Sequence, residues 1–442
     1  MTQHHPSIED ISLTPFHTLL TFRSAGGSFV DGYILSIIGI ALMPASNALG
    51  MNSFWEGLIA ASALIGIFFG GFLGGVLTQR LGRKPVYFMG PVLFVIASVA
   101  QFWVDDAMTL FVLRLIVGVA VGIEYPVATA MLTEFMPKRS RGPRLAGLMI
   151  VWFAGAASAY ALGEYVLRSG MEDAWRWILA SSAPLGLALV LLRLGSPESP
   201  RWLLSKGRRA EAEHVIKTVY GPQYALEHLT EPPSSQALSA WSLLSSGYGK
   251  RMFFVCTFWT CSIIPLFGLY AFAPRVMDAL NLEGDNASIA SMGVTVLLVA
   301  GCILATNLIN VLGRRSLLIS SFLFSGLALL GLALFQSASA TTTLFLFGIY
   351  SVAIGGAQVL ALVYPNEIFP TEIRAHAVGM GTSMSRIGAA LGTYLLPLSI
   401  QDYGIDAILY VAAAITFAGL AVSWALAPET RSLSLQQAAA LT

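Results

Sequence analysis

Long apolar runs separated by short polar stretches alternate along almost the whole chain. Read as helices, they give spans at roughly 15–44, 56–79, 84–104, 108–134, 144–167 and 175–195. After a polar stretch, six more follow at 251–274, 287–311, 315–336, 342–365, 376–400 and 405–427. Each run approaches or exceeds the ~20 apolar residues that carry a helix across a bilayer. Backbone polar groups in hydrocarbon must be satisfied within the segment itself, which makes a helix the form such a run takes. The pattern predicts an all-α integral membrane protein with twelve transmembrane helices. Between the two sets, RWLLSKGRRAEAEHVIKTVY (201–220) reads as an amphipathic helix lying on the membrane surface.

Composition sharpens this. The chain is 56% hydrophobic and 11% charged, against about 25% charged in a soluble domain. Its 42 glycines suit helices that pack through small residues. Cys256, Cys261 and Cys302 sit inside apolar runs without the paired, polar-flanked spacing of a metal or disulfide site, so they read as core residues and no metal is expected. Residues 1–12 are polar and lead into no cleavable signal, which predicts a cytosolic N-terminus.

Lys and Arg set the orientation. The loops after spans 2, 4 and 8 carry Arg80, Arg83, Lys84, Lys138, Arg139, Arg141, Arg144, Arg314 and Arg315, and the 196–250 segment together with Arg251 adds seven more basic residues. The opposite side has only Arg168, Arg176 and Arg275. Both termini and the 196–250 segment are therefore expected in the cytosol, and the protein in the inner or plasma membrane.

An internal repeat orders the spans. Leu81-Gly82-Arg83-Lys84 recurs as Leu312-Gly313-Arg314-Arg315, displaced by 231 residues. Glu134-x-x-Pro137-x-x-x-Arg141 recurs as Glu367-x-x-Pro370-x-x-x-Arg374, displaced by 233, and Pro197-Glu198-Ser199 as Pro428-Glu429-Thr430, displaced by 231. The expected organisation is an N-terminal half at 1–195, a cytosolic linker at 196–250 and a C-terminal half at 251–442. Pseudo-symmetric six-helix halves of this kind place a substrate site between them near the midplane.

The loop GGVLTQRLGRKP resembles the signature between helices 2 and 3 of the major facilitator superfamily. SPESPRWLL after span 6 and PET after span 12 resemble the sugar porters and their relatives. Span 7, FFVCTFWTCSIIPLFGLYAF, lacks the paired glutamines that sugar porters carry there. GIEYPVA in span 4 and SRIGAALG in span 11 look more like organic-acid branches, such as the niacin (nicotinate) permeases and the synaptic-vesicle-protein-like group.

The charges fall into two groups. At the inner helix ends, Arg83, Glu134, Arg141 and Glu198 and their repeats Arg314, Glu367, Arg374 and Glu429, with Arg315, suit a set of inter-helix salt bridges that close the cytosolic side. The bland alternative is topology signals and snorkelling anchors. At membrane depth, where an ionisable residue costs at least about 2.5–3.5 kcal/mol on insertion scales, stand Asp31, Arg114, Glu124 and Arg386. Counting about 1.5 Å per residue from the helix ends puts Asp31 and Arg114 within about 6 Å in height, which suits a pair. Resemblance to proton-coupled sugar porters implies that Asp31 carries the proton: ionised beside Arg114, protonated when they part. A static ion pair is the alternative. Glu124 is a second proton site, a substrate contact or a lock on the Pro126 kink.

Arg386 shares a small and polar face of span 11 with Gly379 and Thr382, and a planar guanidinium there suits a carboxylate. Trp259 and Tyr270 in span 7, eleven residues apart, and Trp152 in span 5 could stack on a flat ring. Tyr33, Asn307, Asn310 and Gln358 could supply hydrogen bonds. No nucleotide loop, catalytic domain or selectivity filter occurs. The expected function is proton-coupled uptake of a small, aromatic carboxylate such as nicotinate. The rivals are a sugar or polyol carrier and a non-transporting binding protein of the same fold. The expected partners are substrate, protons and the bilayer, with no nucleic acid, no cofactor beyond the proton, and a monomeric state.

Overall fold

The computed structural model describes residues 7–229, 247–271, 285–335 and 339–440, and among these it is all-helical. The long helices are α1 (Pro15–Leu49), α2 (Ser53–Leu81), α3 (Arg83–Ala100), α4 (Ala107–Phe135) and α5 (Lys138–Arg168). The sixth span is two stacked pieces, α6 (Ala174–Ala180) and α7 (Ser182–Arg193). Short helices α8 (Pro200–Ser205) and α9 (Arg209–Tyr220) follow. The chain continues with α10 (Gly249–Ala271), α11 (Asp285–Leu312), α12 (Arg314–Leu334), α13 (Ala340–Glu367), α14 (Thr371–Leu426) and α15 (Leu435–Ala440). α14 holds two spans, joined where Gly404 leaves the helical region at φ 77°. Ten described segments are long and apolar enough to cross a membrane, and α11 with the first part of α14 completes the expected twelve.

The element ends follow local chemistry. Thr14 is the extended N-cap of α1, its backbone N–H donates to His17 Nδ1 at 3.1 Å, and Pro15 occupies the first turn. α1 runs on through Pro44 to Leu49, past the end read from the sequence, and stops at Gly50, left-handed at φ 59°. The continuous amphipathic helix expected over 201–220 is corrected to α8 and α9. Pro200 and the Ser199 cap start α8, and left-handed Gly207 (φ 76°) ends it. Trp202, Leu203 and Ala212 bury into their own small cluster.

By contacts the chain forms two compact units. One joins Met1–Ser246 with Pro365–Ser383 and Ser432–Thr442; the other joins Gly247–Tyr364 with Met384–Arg431. In the first, α2 and α4 cross through glycines. A Cβ on Gly70 would sit 2.8 Å from Val119 Cα, and one on Gly122 would sit 2.7 Å from the Gly70 carbonyl carbon. In the second, α11 and α13 cross in the same way, with Gly301 against Val352 Cα (2.7 Å) and Gly355 against the Gly301 carbonyl carbon (2.7 Å). These pairs lie in the 231- and 233-residue registers of the sequence repeat. In membranes, where apolar side chains gain little by leaving lipid, such close backbone approach is a main source of helix association.

Candidate functional site

A dense polar cluster lies in the first unit, where α2 and α4 end and α3 and α14 begin. The Arg83 guanidinium forks onto Glu134, with Nε to Oε2 at 3.0 Å and Nη2 to Oε1 at 2.7 Å. It also donates to Gln79 Oε1 (2.6 Å) and the Thr371 carbonyl (3.1 Å). Arg374, at the start of α14, reaches the same Glu134 carboxylate at 3.2 Å. All three side chains are fully buried. Nearby, the first turns of α14 lie along α2: Gln79 donates to the Thr371 carbonyl at 2.9 Å, Ser383 Oγ to the Phe68 carbonyl at 2.6 Å, and Gly71 faces Gly379.

A second set joins the N-terminal turn to this cluster. Glu9, buried, accepts from Arg201 (2.6 Å) and Arg141 (3.4 Å), and Lys138 meets Asp10 at 2.6 Å. Burial alone would raise the Glu9 carboxyl, but Arg201, Arg141 and the Leu435 backbone N–H hold it below the ordinary carboxylate range. Glu367 lies within electrostatic reach of Arg141.

Glu198 and Glu429 do a different job from the side-chain salt bridges expected of them. Glu198 accepts the backbone N–H groups of Arg83 (2.9 Å) and Lys84 (3.1 Å), and so caps α3 from a distant segment. Glu429 does the same for α12, accepting from the N–H groups of Arg314 (3.0 Å) and Arg315 (3.1 Å). Helix N-termini favour an anion, through their orphan donors and their dipole. Gly82 (φ 105°) and Gly313 (φ 85°) are needed here, since a Cβ would strike the capping carboxylate. Burial pushes the Glu198 carboxyl up, against the backbone N–H groups that pull it down.

Within the spans of the first unit, the buried ion pair is Glu124 with Arg193, and Arg193 also donates to the Tyr87 carbonyl at 2.6 Å. Arg114 is buried and donates to the Ile34 carbonyl at 3.3–3.4 Å, one turn beyond Asp31 on α1. The expected Asp31–Arg114 ion pair is not formed here. Arg193, two residues before the end expected for span 6, reads from the sequence as an ordinary interfacial charge. Only the fold brings it to Glu124. Tyr33 donates or accepts at Ser181 Oγ (2.6 Å) and packs in the α1–α6 core, which ties it to the helix break. Trp152 is half-buried, edge-on to Phe153.

In the second unit, Arg386 is buried on α14 with its guanidinium 5.9 Å from the Phe267 ring centroid on α10. The two helices close up where Gly388 meets Thr260 and Ile264. Trp259 is buried on α10, and Gln358 donates from α13 to the Ser262 carbonyl at 3.3 Å. Asn310 accepts from Arg314 Nη1 at 2.9 Å, which puts it with the helix-end charges rather than with the other polar candidates. Asn307 is exposed and bonds the Ile303 carbonyl of its own helix. The Tyr270 side chain lies outside the described residues.

This helix pattern, the two capped repeats and the apolar exterior define a multi-pass membrane protein of the major facilitator class. The chain matches the family "Sugar (and other) transporter" over residues 22–441 and belongs to it. It is 36% identical to the putative metabolite transport protein YaaU of Escherichia coli K12, over 99% of this chain and 97% of that one. It is also 36% identical to the inner membrane metabolite transport protein YgcS of the same organism, over 97% and 95%. Among solved structures, the proton:xylose symporter XylE bound to 6-bromo-6-deoxy-D-glucose superposes with a TM-score of 0.82 at 21% identity, covering 96% of this chain and 98% of that one. At that identity the likeness speaks for the fold.

Proposed function

We propose that the protein takes up a small aromatic carboxylate together with a proton by alternating access. Its termini and helix-end charge clusters face the cytosol, where the excess of Lys and Arg would hold them. The observation that carries the substrate class is Arg386, a permanently charged fork buried beside the Phe267 ring. An aromatic acid offers a carboxylate for the guanidinium and a flat face for the ring, and the buried Trp259 on the same helix as Phe267 adds a second flat surface. Asp31 and Glu124, buried acids at membrane depth, are the proton sites. Asn310 drops out of the substrate set because it serves Arg314.

A charge-assisted hydrogen bond to carboxylate is worth roughly 1.5–3 kcal/mol. Arg386→Ala should therefore weaken nicotinate binding about ten- to a hundredfold, and the binding of nicotinamide much less. Arg386→Lys, which keeps the charge but not the fork, should fall between. Equal losses for acid and amide would make Arg386 a purely structural residue and end the carboxylate reading.

A second reading, a sugar carrier, is favoured by the family and by the name of the xylose symporter among its structural neighbours. A thermal-shift screen against nicotinate, nicotinamide and xylose separates the two, because a ligand stabilises by RT ln(1 + [L]/Kd). Stabilisation by xylose and not by nicotinate would select the sugar.

A further inference from the structure

Four helices of the first unit converge on one guanidinium. Arg193, at the end of α7, lies over the Tyr87 ring of α3, 3.6 Å from its centroid, and grips both carboxylate oxygens of Glu124 on α4. The fourth element is α1. A Cβ on Gly27 would sit 2.6 Å from Arg193 Nη2 and would strike the Glu124 carboxylate, so the glycine is what admits the pair. Asp31 follows Gly27 by four residues, one helical turn of about 6 Å on the same face. It lies within electrostatic reach of Arg193. The other groups facing the guanidinium are accounted for. The Tyr87 hydroxyl pairs with Ser24, and the Arg23 carbonyl is 3.5 Å from Arg193 Nη2. The Arg23 guanidinium donates to the Leu192 and Leu194 carbonyls, and Arg114 stays a turn away on Ile34.

We propose that Arg193 is the counter-charge shared by Asp31 and Glu124, a positioning residue that hands the coupled proton from one carboxyl to the other. The inference rests on the proton-coupled reading above. In the arrangement seen, Arg193 holds both carboxylate oxygens of Glu124; in the proposed cycle the incoming proton goes first to Asp31. When Arg193 swings one turn along α1 to Asp31, the Asp31 O–H bond breaks. The same proton then forms an O–H bond on Glu124, whose counter-charge has left. No further reactant is required, and the guanidinium stays charged throughout.

The test needs no substrate. Infrared-monitored pH titration of the full chain in nanodiscs reports protonated carboxyls, and the band lost in Asp31→Asn marks Asp31. In a Glu124→Gln background, adding Arg193→Gln should move the Asp31 midpoint by about one pH unit or more, a tenfold change in proton affinity. That pairing of neutral amides avoids an orphaned buried charge. Arg193→Lys in the same background should leave the midpoint near its starting value. An Asp31 midpoint that ignores Arg193→Gln would overturn the shared counter-charge, even if a pH gradient still drives nicotinate uptake. A midpoint that moves while the gradient drives no uptake would sustain it and defeat the symport reading instead.

Discussion

Glu9 shows how much one residue in a polar leader can be bound into a membrane protein. Its carboxylate sits between Arg141 and Arg201 and is held below the ordinary range once burial is outweighed. A carboxyl whose folded pKa is depressed adds stability that is present above its unfolded pKa, near 4.3, and lost as pH falls through the folded value. Between pH 5 and pH 3 the wild type should therefore lose more thermal stability than Glu9→Gln, which has nothing to protonate there. Parallel melting curves for the two proteins across that window would show that Glu9 contributes nothing through its charge. Nothing in residues 1–12 marks this role, because a polar stretch before the first span reads as solvated tail. Arg193 is hidden for a related reason: a basic residue near a span end is the commonest of topology signals. Both become visible only when the fold supplies a buried partner from a distant part of the sequence.

At the scale of elements, apolar length and the repeat register made the spans legible, and the departures have local causes. Pro44 reads as a stop, but α1 continues through it, since membrane helices can tolerate a proline when neighbours re-satisfy the freed carbonyl. Gly207 breaks a pattern whose apolar period runs on across it. For Asp31 and Arg114 the rise per residue gave comparable heights, and Arg114 does reach α1 one turn from Asp31. Counting residues does not fix the direction of a guanidinium, and this one is turned to a carbonyl. The glycine crossings test the packing argument. Gly70→Ala in α2 and Gly301→Ala in α11 each push a methyl against facing backbone, which should cost about 1–3 kcal/mol as overpacking does. Gly147→Ala in α5 meets nothing within 4 Å and should be neutral, or stabilising by up to about 1 kcal/mol through helix propensity. Melting temperatures that fall equally for all three would mean that glycine matters here for flexibility and not for close approach.

At the scale of the whole molecule, the proposed transport cycle would have to break the buried contacts where α14 begins. One carboxylate, Glu134, holds both Arg83 and Arg374, and Thr371 and Ser383 fasten the same stretch to α2. Exposed ion pairs would be too weak to bias a cycle, at about 0–1 kcal/mol each. This triad is fully buried, and removing one partner from a buried pair costs about 3–5 kcal/mol because a charge is orphaned. Two conformations of a carrier differ by only a few kcal/mol, so Glu134→Gln should shift the population toward the form in which α14 leaves α2. Thr78, buried on α2 with its carbonyl on Arg83, is a suitable reporter. With Cys256, Cys261 and Cys302 replaced, a Thr78→Cys thiol should react with a membrane-impermeant maleimide about tenfold faster in Glu134→Gln, for each 1.4 kcal/mol of closed-state stability removed. Arg374→Gln should act in the same direction but less, because Arg83 keeps Glu134 paired. If the thiol stays equally shielded in both variants while the protein remains folded, these charges set topology and do not hold the gate.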